Sequence, residues 1–233
     1  MLKQYRIFRS EIKKYHLQNV SSYFFRWLKS LKKEASSVND ERPWITFKAI
    51  DFLSQHLERS HKVFEYGGGG STLFFLNRVA EVITVEHSRE WFDILQKMIH
   101  KKGMKNWTGQ FVSPEKVDLV LSPDISDPDH YTSDDDPSKG YNYKAYASVI
   151  DTYPDAYFDC VLVDGRSRPS CIKHALAKIR TGGYLVLDNS DRDYYLSRIS
   201  KAIAADFKVE VDQFAPCPYL PDFTKTTIWK KIK

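Results

Sequence analysis

Four carboxylates stand at the ends of short apolar runs in this 233-residue chain. Glu65 and Glu86 follow VF and VITV, and Asp164 and Asp188 follow CVLV and YLVL. Such runs predict buried parallel strands, whose carboxyl ends share the ligand-binding edge of an open α/β sheet. Carboxylates at that edge can accept hydrogen bonds from hydroxyl groups, hold a cation or take up a proton. The four acids therefore predict one polar site.

Four consecutive glycines, residues 67–70, connect the first run to a helix-like segment that begins at Ser71. Glycine loses the most backbone freedom on ordering, so the run indicates a sharp turn against which a ligand lies, below the free N–H groups of a helix. A nicotinamide or flavin site has G-x-G-x-x-G, but Thr72 occupies the last position. Glu65 precedes the first glycine by two residues. Glu86 lies 21 positions after Glu65 (86 − 65), near the roughly 20-residue spacing of an acid that binds ribose.

The segment EYGGGGST, the acid after the second strand, and the strand ends VDGR and LDN resemble the class I S-adenosylmethionine-dependent methyltransferases. The resemblance covers roughly Trp44 to Lys231 and implies S-adenosylmethionine as the cofactor. It places Asp164 at the reacting centre, as the catalytic residue. The cofactor-binding residues that it implies are Glu65, Gly67, Gly69, Ser71 and Thr72 around the methionine end, Glu86 at the ribose and His87 near the adenine.

A metal ion is a second expectation at the same strand ends. Asp164, Asp188 and Asn189 resemble the metal triad of the catechol and caffeoyl-CoA O-methyltransferases, and three oxygen ligands suit Mg²⁺ or Ca²⁺. Such a metal would lower the pKa of an acceptor hydroxyl. Those families carry a lysine just after the first ligand, whereas this chain has Arg166 and Arg168. Methyltransferases without a metal also have acids here, so both alternatives remain open.

Candidate substrate-binding residues flank the same centre. Arg166 and Arg168 are suited to an anionic group on the acceptor; the alternative is surface charge beside Pro169. Tyr146 follows the acidic, proline-containing stretch 122–140, which is long for a connection in a compact domain. A tyrosine-bearing flap over the pocket is one interpretation of this region, and ordinary aromatic packing is the other.

The positive charge of the chain is concentrated at one end. Residues 1–33 carry nine Lys or Arg and one Glu, a balance of +8, which leaves −3 for the rest of a chain of net charge +5. Apolar residues recur at helical spacing, which predicts two amphipathic helices in a basic extension, residues 1–40, before a cofactor-binding domain, residues 41–233. A helical cap or homodimer contact is the favoured interpretation, over docking to a membrane surface or to nucleic acid.

The alternation of strands and helices predicts an α/β three-layer sandwich with a seven-stranded, mostly parallel sheet and an antiparallel closing strand. The third strand is expected at 107–112, with 117–121 as a competitor, and a helix is expected at 193–205. No run of about 18 apolar residues exists, so no membrane span is expected. Three cysteines without metal or redox spacing favour a cytoplasmic location.

The predicted function is methyl transfer from S-adenosylmethionine to oxygen on a small molecule. Two alternatives remain. An aminopropyltransferase would share the fold, but it would use acids to bind a polyamine where this chain has the arginines of VDGRSR. A non-catalytic protein that docks on nucleic acid or membrane through its basic N-terminus belongs to a different class.

Overall fold

A computed structural model describes residues 1–117, 123–133 and 138–233. The competing third strand at 117–121 and the acidic segment SDDDP at 133–137 lie almost wholly outside these residues. Within the described residues, no helix is long and apolar enough to cross a membrane.

The centre of the molecule is a seven-stranded sheet in the order β3-β2-β1-β6-β7-β9-β8. The first five of these strands are mutually parallel, and β9 inserts antiparallel between β7 and β8. This arrangement confirms the predicted sheet and its antiparallel closing strand. A separate two-stranded pair is formed by β4 and β5. The strands are β1 (Lys62–Tyr66), β2 (Glu81–Glu86), β3 (Trp107–Phe111), β4 (Glu115–Lys116), β5 (Tyr141–Asn142), β6 (Phe158–Val163), β7 (Ile179–Asp188), β8 (Phe207–Pro216) and β9 (Phe223–Lys231).

Helices cover both faces of the sheet. Successive strand residues point to opposite faces, so Val63 and Leu162 enter one hydrophobic core while Phe64 and Val161 enter the other. Helices α1 to α5 pack on the first core and α6 to α8 on the second, which gives the three predicted layers. The helices are α1 (Leu2–Lys14), α2 (Phe24–Ser30), α3 (Phe47–His56), α4 (Gly70–Leu76), α5 (Arg89–Lys101), α6 (Lys144–Ala147), α7 (Arg168–Lys178) and α8 (Ser200–Asp206).

The helix predicted at 193–205 is interrupted. A short 3₁₀ turn at Asp193–Tyr195 precedes α8. In that turn the ring of Tyr195 is buried under the guanidinium of Arg168, 5.1 Å from the ring centroid. This tertiary contact accounts for the irregular backbone, and the sequence period does not reveal it.

The N-terminal helices pack directly on the sheet body. Trp27 of α2 is fully buried, and its indole N–H donates to the carbonyl oxygen of Leu220 at 2.7 Å. The buried carboxylate of Glu11 in α1 accepts from the backbone N–H of Phe223 at 2.9 Å. Residues 1–40 therefore cap the connection between β8 and β9. A homodimer contact through these helices remains a prediction.

Candidate functional site

A cavity of about 780 Å³ lies at the carboxyl ends of the parallel strands. The strand order reverses between β1 and β6, and the ligand site of an open α/β sheet forms at such a switch point. The volume falls within the range of small-molecule sites, about 300–1,000 Å³. The sequence-predicted residues that line it are Gly67, Gly69, Ser71, Glu86, His87, Asp164, Arg166, Arg168, Asp188 and Asn189.

The glycine turn forms one wall of this cavity. Gly67 has a φ of +86°, a conformation that favours glycine, and its N–H donates to the carbonyl oxygen of Val85 at 2.9 Å. Thr72 is buried below the turn, where its hydroxyl accepts from the N–H of Gly69 at 3.0 Å. A Cβ on Gly69 would have only Trp91 within 4.0 Å. The backbone at Gly69 is therefore bare on the cavity side, as a ligand cradle requires, whereas a Cβ on Gly68 would lie 2.6 Å from Leu95.

Gly70 is needed for a different reason, which is contact with the N-terminal segment. A Cβ at this position would lie 2.1 Å from the carbonyl oxygen of Ser37 and 2.4 Å from that of Arg42. We expect Gly70→Ala to lower the free energy of unfolding by about 1–3 kcal/mol, as overpacking does, in urea denaturation. Gly69→Ala, which meets open space, is the matched control and should change it by about 0.5 kcal/mol. Equal losses in the two variants would contradict this packing.

Glu65 supports the turn from below. Its carboxylate is fully buried and accepts from the hydroxyl groups of Ser71 at 2.8 Å and Thr84 at 2.7 Å. Burial raises its pKa to about 7, against the lowering effect of the neighbouring hydroxyl groups. The resemblance implied that Glu65 touches the cofactor, but the structure places its carboxylate behind Ser71, which lines the cavity.

The raised pKa of Glu65 predicts a pH-dependent stability. Because the folded protein holds this proton between the ordinary pKa of 4.5 and about 7, the contribution of Glu65 to stability is fully present below pH 4.5 and declines as the pH rises to 7. Glu65 contributes about 3 kcal/mol to that decline. Urea denaturation across this range should show a shallower slope for Glu65→Gln than for the wild type. The exposed Glu90→Gln should keep the wild-type slope; a Glu65→Gln slope as steep as the wild type would refute the assignment.

Glu86 closes the turn from the end of β2. Its side chain accepts from the N–H groups of Gly68 at 3.0 Å and of His87 and Ser88 at 2.8 Å. Burial raises the pKa of Glu86, but hydrogen bonds from His87, Ser88 and Gly68 outweigh burial, so its pKa lies below the usual value. This carboxylate is therefore a fixed negative charge in the cavity wall, one strand from the glycine turn.

Two aromatic side chains complete this half of the cavity. His87 lines it, with Nδ1 2.9 Å from the carboxylate of Glu86. Trp91, at the start of α5, also lines it and donates from its indole N–H to the carbonyl oxygen of Gly68 at 2.7 Å. The position of Trp91, five residues after Glu86 (91 − 86), is the feature of the sequence that indicates a role in the site.

The side chain of Arg168 connects the carboxyl ends of β6 and β7 through hydrogen bonds. Its guanidinium donates to a carboxylate oxygen of Asp164 at 3.0 Å, to the carbonyl oxygen of Asp188 and to the side-chain oxygen of Asn189 at 3.4 Å. It also donates to the carbonyl oxygen of Gly165 at 3.0 Å. The residue is 8% exposed. Arg168 lines the cavity, but its donors are directed to the protein, which differs from the predicted contact with an anionic substrate.

The two aspartates of this cluster differ in their partners. Asp164 is paired with Arg168, whereas Asp188 accepts from the hydroxyl of Thr226 at 2.8 Å. Burial raises the pKa of both carboxyls, and for Asp188 repulsion from Asp164 raises it further. Both line the cavity, so either can exchange a proton with a bound acceptor.

The residues at the expected metal triad do not fit a divalent cation. The guanidinium of Arg168 already occupies an oxygen of Asp164 and the side-chain oxygen of Asn189, and it places a positive charge where the ion would lie. Among the described residues, no group of three His, Cys, Asp or Glu is arranged to hold a metal. We therefore derive no step through a metal.

Tyr146 and Arg166 take different positions. Tyr146 is fully buried, with its ring 5.6 Å from that of Tyr66, and its hydroxyl points at Gly165, where a Cβ would lie 2.0 Å away. It is part of the second core, below the cavity wall. Arg166 lines the cavity, where its Nε lies 3.4 Å from Nε2 of His87.

The described part of the acidic stretch, residues 123–133, forms ion pairs away from the cavity. Asp124 and Asp127 pair with Arg198, and Asp129 pairs with Lys173 of α7. These ion pairs attach residues 123–133 to the outer surface of the second helical layer, and the cavity wall is built from other segments. A flap role stays a prediction for the stretch as a whole.

The rest of the cavity lining comes from segments that carry no motif. These residues come from before α3, from the loop after Asn189, from the β8–β9 connection and from the start of β9, and they are Ser37, Trp44, Arg192, Cys217, Leu220 and Thr224. Sequence reasoning missed them, because only the fold brings the chain before the first strand and the chain after the last crossover to the same strand ends.

Comparisons with known proteins agree with this architecture. No family model matches the sequence, and no curated protein does. Among solved structures, a protein of Streptococcus mutans that carries the name of a methyltransferase, crystallised in complex with SAH, has a TM-score of 0.54 at 14% identity, covering 78% of this chain and 94% of its own. An rRNA methylase of Streptococcus thermophilus has a TM-score of 0.52 at 14% identity, covering 78% and 93%.

A protein of Corynebacterium glutamicum matches over 92% of this chain and 98% of its own, with a TM-score of 0.56 at 12% identity. Identities this low show the fold, which the strand order and the site at the switch point show independently. The chain has the fold of the class I S-adenosylmethionine-dependent methyltransferases.

Proposed function

We propose that this protein transfers a methyl group from S-adenosylmethionine to an oxygen of a small molecule. The observation that carries the proposal is the cavity at the switch point, where the bare turn of Gly67 to Gly69 meets the carboxylate of Glu86. In this fold that pairing suits a nucleoside whose ribose binds the acid and whose charged tail lies along the turn.

The chain's own residues divide between binding and positioning. Glu86 is held by three N–H groups and lines the cavity, where its other acceptor positions would bind the ribose hydroxyl groups. His87 and Trp91 flank the place of the adenine. Glu65 acts through Ser71 and Thr84, because it fixes the turn without reaching the cavity. When bound, the cofactor supplies an electrophilic methyl group on a sulfonium.

The part of the cavity formed by Asp164, Asp188, Trp44, Cys217 and Leu220, called here the acceptor half, supports an oxygen nucleophile. A hydroxyl must lose its proton to attack, and the base that takes it works best when its pKa approaches the operating pH. Asp188 has a raised pKa and a single side-chain donor, Thr226, whereas Asp164 is held by Arg168. We therefore assign the proton-accepting role to Asp188 and a positioning role to Asp164, which the sequence named as the catalytic residue.

The walls of the acceptor half support a small acceptor. Trp44, Cys217 and Leu220 close this side of the cavity, and one volume of about 780 Å³ must hold both the cofactor and the acceptor. The arginines Arg166 and Arg192 also line it, and they disfavour the polyamine that an aminopropyltransferase would bind.

We expect Glu86→Ala to weaken binding of S-adenosylhomocysteine by about 1–3 kcal/mol, because a charge-assisted partner of the ribose is lost. Titration calorimetry on the two proteins measures it directly. The matched control is Glu81→Ala at the opposite end of the same strand, where the carboxylate binds Tyr157. An affinity that is the same in wild type and Glu86→Ala would count against the ribose assignment. If the wild type preferred decarboxylated S-adenosylmethionine to S-adenosylmethionine, aminopropyl transfer would be indicated instead.

A further inference from the structure

The N-terminal helices expose apolar side chains in one place. Leu2 is 78% exposed, Phe25 is 74% exposed and Tyr5 is 48% exposed. The rings of Tyr5 and Phe25 both contact Phe24, with centroids 5.6 and 5.3 Å apart, so the outer sides of α1 and α2 meet there. Exposed apolar side chains that gather beside charged ones mark interaction surfaces.

The same side of the helices is strongly basic. Leu2, Arg6, Arg9 and Lys13 recur at intervals of three or four residues, so they share one face of α1. These basic residues are exposed, as is Lys29 of α2. The only acid in residues 1–33 is Glu11, which is buried and accepts from the backbone of Phe223. No acid of this segment therefore offsets the exposed cations of α1, whereas Arg26 of α2 pairs with Asp51 of α3 at 2.8 Å.

We propose that this surface docks on an anionic lipid bilayer. The surface, called here the basic-aromatic face, consists of Leu2, Lys3, Tyr5, Arg6, Arg9, Phe25 and Lys29. Helices with basic residues beside aromatic and aliphatic ones lie in the plane of the lipid headgroups, with the apolar side chains in the acyl boundary and the cations among anionic headgroups. An anionic bilayer would therefore contact both the positive charges and the exposed apolar side chains of this face.

Other partners satisfy only part of these observations. A second copy of the chain would bring one positively charged face against another, which repels. Nucleic acid would neutralise the cations through its phosphates, but it would leave the aliphatic side chain of Leu2 without a partner. The proposal stands on the N-terminal helices and is independent of the methyl-transfer assignment.

The basic-aromatic face is connected to the cavity wall through α2. Phe25 lies on the outer side of this helix, and Trp27 on its inner side donates to the carbonyl oxygen of Leu220, which lines the cavity. The docked helix and the wall of the acceptor half are therefore one packed unit.

Co-sedimentation of the full chain with lipid vesicles tests the proposal. We expect binding to vesicles of phosphatidylcholine mixed with phosphatidylglycerol, and at least ten-fold weaker binding to phosphatidylcholine alone. Arg6→Gln/Arg9→Gln should weaken partitioning about five-fold for each charge removed. Phe25→Ser should weaken it about ten-fold through the lost apolar contact. The matched controls on other surfaces, Lys101→Gln/Lys208→Gln and Ile232→Ser, should bind like the wild type.

Equal binding to both vesicle types, or no binding, would overturn the proposal. So would control variants that lose as much as the variants of the basic-aromatic face. An RNA oligonucleotide that binds in a gel shift and is lost in Arg6→Gln/Arg9→Gln, without vesicle binding, would assign the face to nucleic acid. A dimer in sedimentation equilibrium that Phe25→Ser dissociates would assign it to a second copy. Thermal melting shows that each variant is folded.

Discussion

Replacing Asp188 by Asn should slow methyl transfer by about 10²–10⁴-fold, the usual contribution of a general base. The amide keeps the oxygen that accepts from Thr226 but cannot take a proton from the acceptor. Affinity for S-adenosylhomocysteine should stay at the wild-type value, because Asp188 faces the acceptor half. The wild-type rate should rise with pH as this carboxyl ionises, and the variant should lose that rise.

The measurement is transfer of a tritiated methyl group from S-adenosylmethionine into a low-molecular-weight cell extract. Asp191→Asn is the matched control, since Asp191 is exposed three residues further along the chain and carries the same charge. A wild-type rate in Asp188→Asn, together with a loss in Asp164→Asn, would return the role of base to Asp164.

Replacing Arg168 by Met should lower the free energy of unfolding by about 3–5 kcal/mol, the loss expected when one partner of a buried ion pair is removed. Arg168 is 8% exposed, and its charge balances the buried carboxylate of Asp188 and the partly buried carboxylate of Asp164. Methionine preserves apolar volume but leaves those charges and the carbonyl oxygens of the two strand ends without their donor. Urea denaturation at neutral pH measures the loss.

Two comparisons separate this mechanism from general disruption. Arg89→Met removes an exposed pair with Asp93 on α5 and should cost about 0.3–0.5 kcal/mol. Adding Asp164→Asn to Arg168→Met should restore part of the stability, because it removes the uncompensated charge. If the double variant is less stable than Arg168→Met, Arg168 does not stabilise the protein by balancing the charge of Asp164.

The layers of the fold could be predicted because the signals are local. Apolar runs such as CVLV identify strands buried on both faces, and four glycines between a strand and a helix identify the turn. The break after Asp193–Tyr195 could not be predicted, since it depends on Tyr195 packing over Arg168. The helical spacing of apolar residues predicts which of them share a face of a helix. It does not predict that Tyr195 packs against the guanidinium of Arg168.

The candidate site likewise contains residues that could be predicted from the sequence and residues that could not. Glu86 was identified by its spacing from the turn, and the structure places it against Gly68 in the cavity wall. For Arg168, the residue type indicated an anion site, but Ser167 has a φ of +48° and α7 begins at Arg168, which turns the side chain under the strand ends. Leu220 in the β8–β9 connection and Thr224 at the start of β9 were missed, because their role depends on where this part of the chain meets the strand ends.

A crystal structure of the protein with S-adenosylhomocysteine would be the decisive test of the cofactor site. We expect density in the cavity of about 780 Å³, with both ribose hydroxyl groups within hydrogen-bond distance of Glu86 and the amino-acid tail along Gly67 to Gly69. Density at another site, or a cavity that excludes the nucleoside while calorimetry shows no binding, would contradict it.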